Sequence, residues 1–166
     1  MTYAVNRESE IKPTVAAAPG ALPAGPLRVG EVMTYEAMTL DPRQTLADVV
    51  ALMATRSFHH VLVVDPDDRL RGVISDRDVL RALSRTPNWN RKNISEIMTQ
   101  DSVTTTPESL ISVAAQEMLE RRINCLPVIG ADGRVCGILT STDLLKAYAS
   151  VQTVLEKFHL GTGAAD

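Results

Sequence analysis

The sequence predicts an α+β fold: two tandem β-α-β-β-α repeats, packed pseudo-symmetrically through their sheets. Three observations lead there. Sliding the chain by 65 residues lays positions 29–83 over 94–148 without a gap and with 14 identities in 55 positions, the mark of a duplicated unit. Each copy then runs through strand-like and helix-like apolar spacing in the same order. A unit of 55 residues would by itself bury only about 60% of its unfolded surface, so the two must share a core.

The boundaries follow from composition. Residues 1–28 include KPTVAAAPGALPAGPLR, with four prolines and two glycines among alanines and no sustained period. Such a stretch offers too little apolar surface to offset its ordering entropy, and a flexible tail is expected. Repeat 1 is expected over 29–86, a linker over 87–93 and repeat 2 over 94–150. A C-terminal helix extension and tail take 151–166.

Within each repeat the elements can be justified in order. A short extended piece (38–40; 103–105) precedes Pro42 or Pro107 and a helix start, with Thr45 and Ser109 as expected N-caps. Leu46, Val49, Val50 and Met53 form one apolar helical stripe, repeated with smaller residues by Ile111, Ala114, Ala115 and Met118. The runs HVLVV and CLPVI read as strands, closed by the turn chemistry of Asp65-Pro66-Asp67-Asp68 and Ala131-Asp132-Gly133. Second strands, RLRGVIS and RVCGILT, lead into a last helix in each copy. Trp89, the single tryptophan, is expected to anchor the linker. Beyond Asp143 the apolar spacing runs through Leu144, Leu145, Tyr148, Val151, Val154, Leu155 and Phe158, longer than in repeat 1. That helix and the segment 49–53 are expected to leave apolar faces for a second copy of the chain.

Composition excludes several classes. With 45% hydrophobic but only 4% aromatic residues, the core should be aliphatic. A net charge of −3 supplies no basic excess for nucleic acid. No stretch approaches the roughly 20 apolar residues of a membrane span, and the N-terminus has no signal-peptide pattern. Cys125 and Cys136 form no C-x-x-C motif and read as buried thiols in a reducing compartment, so a cytoplasmic location is expected. His59 and His60, adjacent on a strand, point to opposite faces and hold no metal.

The chemistry concentrates in GVISDRD (72–78) and GILTSTD (137–143). Gly72 and Gly137 allow a ligand or a backbone to come close. Ser75 and Thr140 stand where strand becomes helix, beside N–H groups suited to phosphate. Asp78 and Asp143, three residues on, can accept both hydroxyls of a ribose diol. The same S-x-x-D and T-x-x-D spacing is also a helix-capping box, worth about 1 kcal/mol. Two copies in register favour a nucleotide site over capping alone.

The duplicated EVMT…GVISDRD and EIMT…GILTSTD units resemble CBS domains, named for cystathionine β-synthase, as a tandem pair over nearly three quarters of the chain. The resemblance implies a non-catalytic regulatory module that binds AMP, ADP, ATP or S-adenosylmethionine between the repeats, with no obligatory cofactor. It implies ribose contacts at Asp78 and Asp143 and phosphate contacts at Ser75 and Thr140. It points to Met38, Thr39, Val61, Val103, Thr104 and Leu126 around the base. It also implies a flat homodimer acting on an unknown regulated protein, without nucleic-acid or membrane partners. Where phosphate-binding members often carry His-Arg before Leu-Pro, this chain has His59-His60 and Asn124-Cys125. His59 and His60 can still donate to phosphate, Asn124 and Cys125 only weakly, and with Arg77 beside the first motif the stronger phosphate end is expected there. The alternative reading is a structural dimerisation module with a vestigial pocket.

Overall fold

The computed structural model describes residues 25–55, 58–85 and 87–161, with side chains to 158. The expected N-terminal tail lies outside the described residues as far as residue 24. The chain runs α1 (Val29–Val32), β1 (Thr39–Leu40), α2 (Leu46–Thr55), β2 (His60–Val64), β3 (Leu70–Ser75) and α3 (Asp76–Arg85). Two 3-10 turns, Trp89–Arg91 and Ile94–Glu96, carry it into α4 (Ile111–Arg121), β4 (Cys125–Ile129), β5 (Val135–Thr140) and α5 (Ser141–Gly161). β1 pairs parallel with β2, and β2 antiparallel with β3. In the second copy β4 pairs antiparallel with β5, while Thr105 joins Val128 through a single parallel bridge in place of the β1 pairing. The result is the expected β-α-β-β-α order, twice.

Alternation along the strands sorts residues between two kinds of core. Val61 and Val63 face α2 and α3, as Leu126 and Val128 face α4. Leu62, Val64 and Val73 turn the other way and meet Cys125, Val135 and Ile138, so a third cluster joins the sheets. This sheet-to-sheet layer lets two marginal units form one body.

The repeats exchange their leading segments. Thr34, in the EVMT of repeat 1, pairs with Ile138 of β5, each N–H donating to the other's carbonyl at 2.9 Å. Thr99, in the EIMT of repeat 2, pairs in the same way with Val73 of β3 at 2.9 and 3.0 Å. Val29 and Met33 are therefore buried with Ala114, Met118 and Leu139, whereas Ile94 is buried with Leu40, Leu46 and Val49. The glycines serve this crossing. A Cβ on Gly72 would stand 2.7 Å from the Thr99 carbonyl oxygen, and one on Gly137 would stand 2.8 Å from that of Thr34. Close approach of a backbone, one of the two uses expected for these glycines, is present at both.

The exchange also reassigns one helix cap. Thr45 caps α2 as expected, exchanging bonds with Asp48. Ser109 does not cap α4; its hydroxyl pairs with Thr106 in the preceding turn. The first N–H of α4, on Ile111, instead donates to the Leu27 carbonyl at 3.0 Å, as Leu46 donates to Lys92 at 2.8 Å. Incoming backbone thus satisfies the first open N–H of each helix, and α2 adds the Thr45 side-chain cap to it.

Trp89 packs against the first core. The segment 49–53 is not an outer face: Val49 and Leu52 are buried, and Val50 and Met53 pack on the same core, because the stripe of α2 closes the first repeat. Among the described residues the large exposed apolar side chains lie elsewhere, at Leu80 on α3, Val113 and Leu119 on α4, and Leu145, Tyr148 and Phe158 on α5. Among the described residues no helix is long and apolar enough to cross a membrane.

Candidate functional site

Between the sheets opens a cleft of about 800 Å³, lined by both G-h-h-[ST]-x-x-D motifs. That volume falls within the range of small-molecule sites. Strand parity decides which side chains reach it. His60 and Ser75 are register partners at one end, Cys125 and Thr140 at the other, and all four line the cleft.

Both motifs close as capping boxes. Ser75 donates to Asp78 Oδ2 from its N–H at 3.0 Å and its hydroxyl at 2.6 Å, and accepts the Asp78 N–H at 3.3 Å. Thr140 and Asp143 repeat this at 2.8, 2.6 and 3.3 Å. Each carboxylate thus has a structural role, and its remaining oxygen distinguishes the ends. Asp78 Oδ1 accepts from Arg81 at 3.2 Å. Asp143, 6% exposed, accepts at Oδ1 from the Thr34 hydroxyl at 3.2 Å, a bond across the repeats.

The ends differ further in charge. At the first, Asp76 takes the Arg77 N–H at 2.7 Å and pairs with His59 Nδ1 at 3.1 Å, and the Thr99 pairing brings Asp101 alongside β3. His60 has its pKa lowered, since burial outweighs the neighbouring Asp76 and Asp78 carboxylates. At the second end Ser141 replaces Asp76, and among the described residues no acceptor takes the Thr142 N–H. The Ser141 N–H donates to the Asn124 carbonyl at 3.0 Å and Thr34 pairs with Ile138, which brings the segments carrying Arg122 and Glu36 to this end beside Lys146 of α5. All three line the cleft, and neither cation forms an ion pair among the described residues. Cys125 stands across from the first motif. Burial first, then the Asp78 charge, push its thiol up to about 12.

Of the residues singled out from sequence, Asp78, Asp143, Ser75, Thr140, Arg77, His59, His60, Met38 and Val103 line the cleft. Val61 and Leu126 are turned into the repeat cores by strand parity, and Thr39 lies in β1 off the cleft. Thr104 borders a separate hollow of about 460 Å³ beside α4. Glu36, Asp101, Arg122 and Lys146 line the cleft without having been singled out. Lys146 had a signal, since it occupies the position of Arg81 in the other copy. Arg122 had none, because its entry depends on how α4 ends.

A family model described as CBS domain matches residues 29–85 and 94–150. The CBS domain pair of protein MJ0100, solved in complex with 5'-methylthioadenosine and S-adenosyl-L-methionine, is 25% identical, with a TM-score of 0.69 over 75% of this chain and 98% of that one. CBSX2, solved in complex with AMP, is 27% identical, with a TM-score of 0.68 over 75% of this chain and 98% of that one. An inosine-5'-monophosphate dehydrogenase from Methanocaldococcus jannaschii is 29% identical over 130 residues. That match takes in 78% of this chain but 25% of the enzyme, so the chain spans about a quarter of this relative.

Proposed function

Because the chain belongs to the CBS domain family, we propose that it is a non-catalytic regulatory module whose inter-repeat cleft takes an adenosine-containing ligand, AMP, ADP, ATP or S-adenosylmethionine. The observation that carries this reading is the open cleft of about 800 Å³, with both motif aspartates on its wall, in a fold shared with pairs solved with AMP and with S-adenosyl-L-methionine. Asp78 and Asp143 hold ribose hydroxyls, while Met38 and Val103 supply apolar wall for the base. Ser75 and Thr140 position phosphate, with Arg77, His59 and His60 at one end. Binding is reported to an unidentified partner protein by a homodimer. Leu80 and Leu145, equivalent positions both exposed on their helices, support such a face. Two unpaired thiols fit a cytoplasmic setting.

A second reading, a structural dimerisation module, has its own observation: the capping boxes account for both aspartates without a ligand. Thermal unfolding against millimolar AMP, ATP and S-adenosylmethionine separates the two. A ligand at 100 times its Kd stabilises by about 2.7 kcal/mol and raises the Tm by several degrees. No shift with any of them leaves the dimerisation reading standing. Light scattering then tests the assembly, with a mass twice the 18.0 kDa chain expected.

A further inference from the structure

Three described residues other than glycine have positive φ: Asp68 at 59°, Asn88 at 59° and Arg122 at 55°. Asp and Asn tolerate this region because their short polar side chains bond locally. Arginine has no such compensation. Arg122 stands at the C-terminal cap of α4, where its N–H donates to the Leu119 carbonyl at 3.2 Å. Glycine fills such positions with less strain. Here the chain places a long cation instead, a residue that lines the cleft and forms no ion pair among the described residues. Backbone strain held beside a cleft points from an observed outlier to a role.

Charge at the two ends gives that role a direction. The first end holds Asp76, Asp78 and Asp101; Asp76 pairs with His59 and Asp78 with Arg81, which leaves Arg77 as the cation there without an ion pair among the described residues. The second sets Glu36 and Asp143 against Arg122 and Lys146. Of these carboxylates Asp143 is the buried one, and both its oxygens are engaged by hydroxyl and N–H donors. A dianionic phosphate meets three carboxylates and one unpaired cation at the first end, and two carboxylates and two unpaired cations at the second. This reverses the order expected from Arg77 and the histidines. We propose that the phosphate of a bound nucleotide lies at the second end and that Arg122, assisted by Lys146, is the residue that anchors it and sets the preference for a phosphorylated ligand.

The inference rests on the adenosyl-ligand reading, and calorimetric titration of the full chain with AMP and with adenosine keeps the two apart. Arg122→Gly should weaken AMP binding at least tenfold, the order of one charge-assisted hydrogen bond, and leave adenosine within twofold. Its Tm should not fall, since glycine relieves the strain. Arg77→Ala is the contest, with a smaller loss of AMP affinity expected than for Arg122→Gly. A loss below tenfold at Arg122, an equal or larger loss at Arg77, or parallel losses of AMP and adenosine would each overturn the anchor. A parent protein that binds neither compound would instead remove the ligand reading itself, and the anchor with it.

Discussion

Thr34 Oγ1 donates to Asp143 Oδ1 at 3.2 Å, joining residues 109 apart in sequence. The leading segment of the first repeat thereby completes the motif of the second. Among the described residues Asp78 has no such bond across the repeats; Arg81, one helical turn away, donates to its Oδ1 instead.

That difference predicts unequal stability losses. Asp143→Ala removes a capping box and a cross-repeat bond from a buried carboxylate and should cost about 2 kcal/mol. Asp78→Ala, at a more exposed site, should cost about 1 kcal/mol. Urea unfolding of both variants without ligand measures this, and equal losses would show that the Thr34 bond contributes nothing.

Gly72→Ala and Gly137→Ala should both destabilise, by about 1–3 kcal/mol. Each new methyl carbon would lie within 2.8 Å of a backbone carbonyl oxygen in the crossing segment, and backbone cannot swing aside as a side chain can. Wild-type melting temperatures in either variant would mean that the crossing segments slide freely.

Val29→Ala should disturb the second core and Ile94→Ala the first, contrary to their places in the sequence repeats. Truncating such buried aliphatic residues costs about 1–4 kcal/mol. Methyl NMR shifts decide the assignment: Val29→Ala should move Leu126 and Leu139 and spare Leu46 and Val49. The opposite pattern would refute the exchange.

Cys125 should resist alkylation at pH 8 until the protein unfolds, because its thiol stays protonated up to about 12. The same shift has a consequence for stability. The unfolded thiol ionises near its ordinary value of 9, while the folded one keeps its proton to about 12. The folded state therefore binds more protons between these values, and its stability falls there by up to about 1.4 kcal/mol per pH unit. Cys125→Ala should flatten that alkaline decline in denaturation curves, and an unchanged slope would assign the decline to other groups.

Much of the architecture was legible in the chain itself. The duplication shows as identical spacing, the strands as period-2 apolar runs, and the α2 stripe as Leu46, Val49, Val50 and Met53. These signals are local: a few neighbouring residues fix backbone preference and the face they present. The S-x-x-D and T-x-x-D spacing likewise foretold a capping box, since both partners lie within one helical turn. Tertiary structure alone decided what depended on contacts far apart in sequence. No local pattern says that Val29 completes the core of the second repeat, that the Leu27 carbonyl rather than Ser109 meets the start of α4, or that Arg122 enters the cleft. Two halves built on the same pattern offer each leading segment two similar docking edges. The structure takes the crossed pairing, Thr34 with Ile138 and Thr99 with Val73, at contacts far apart in sequence, where glycines 137 and 72 leave room for a second chain segment to lie against the strand.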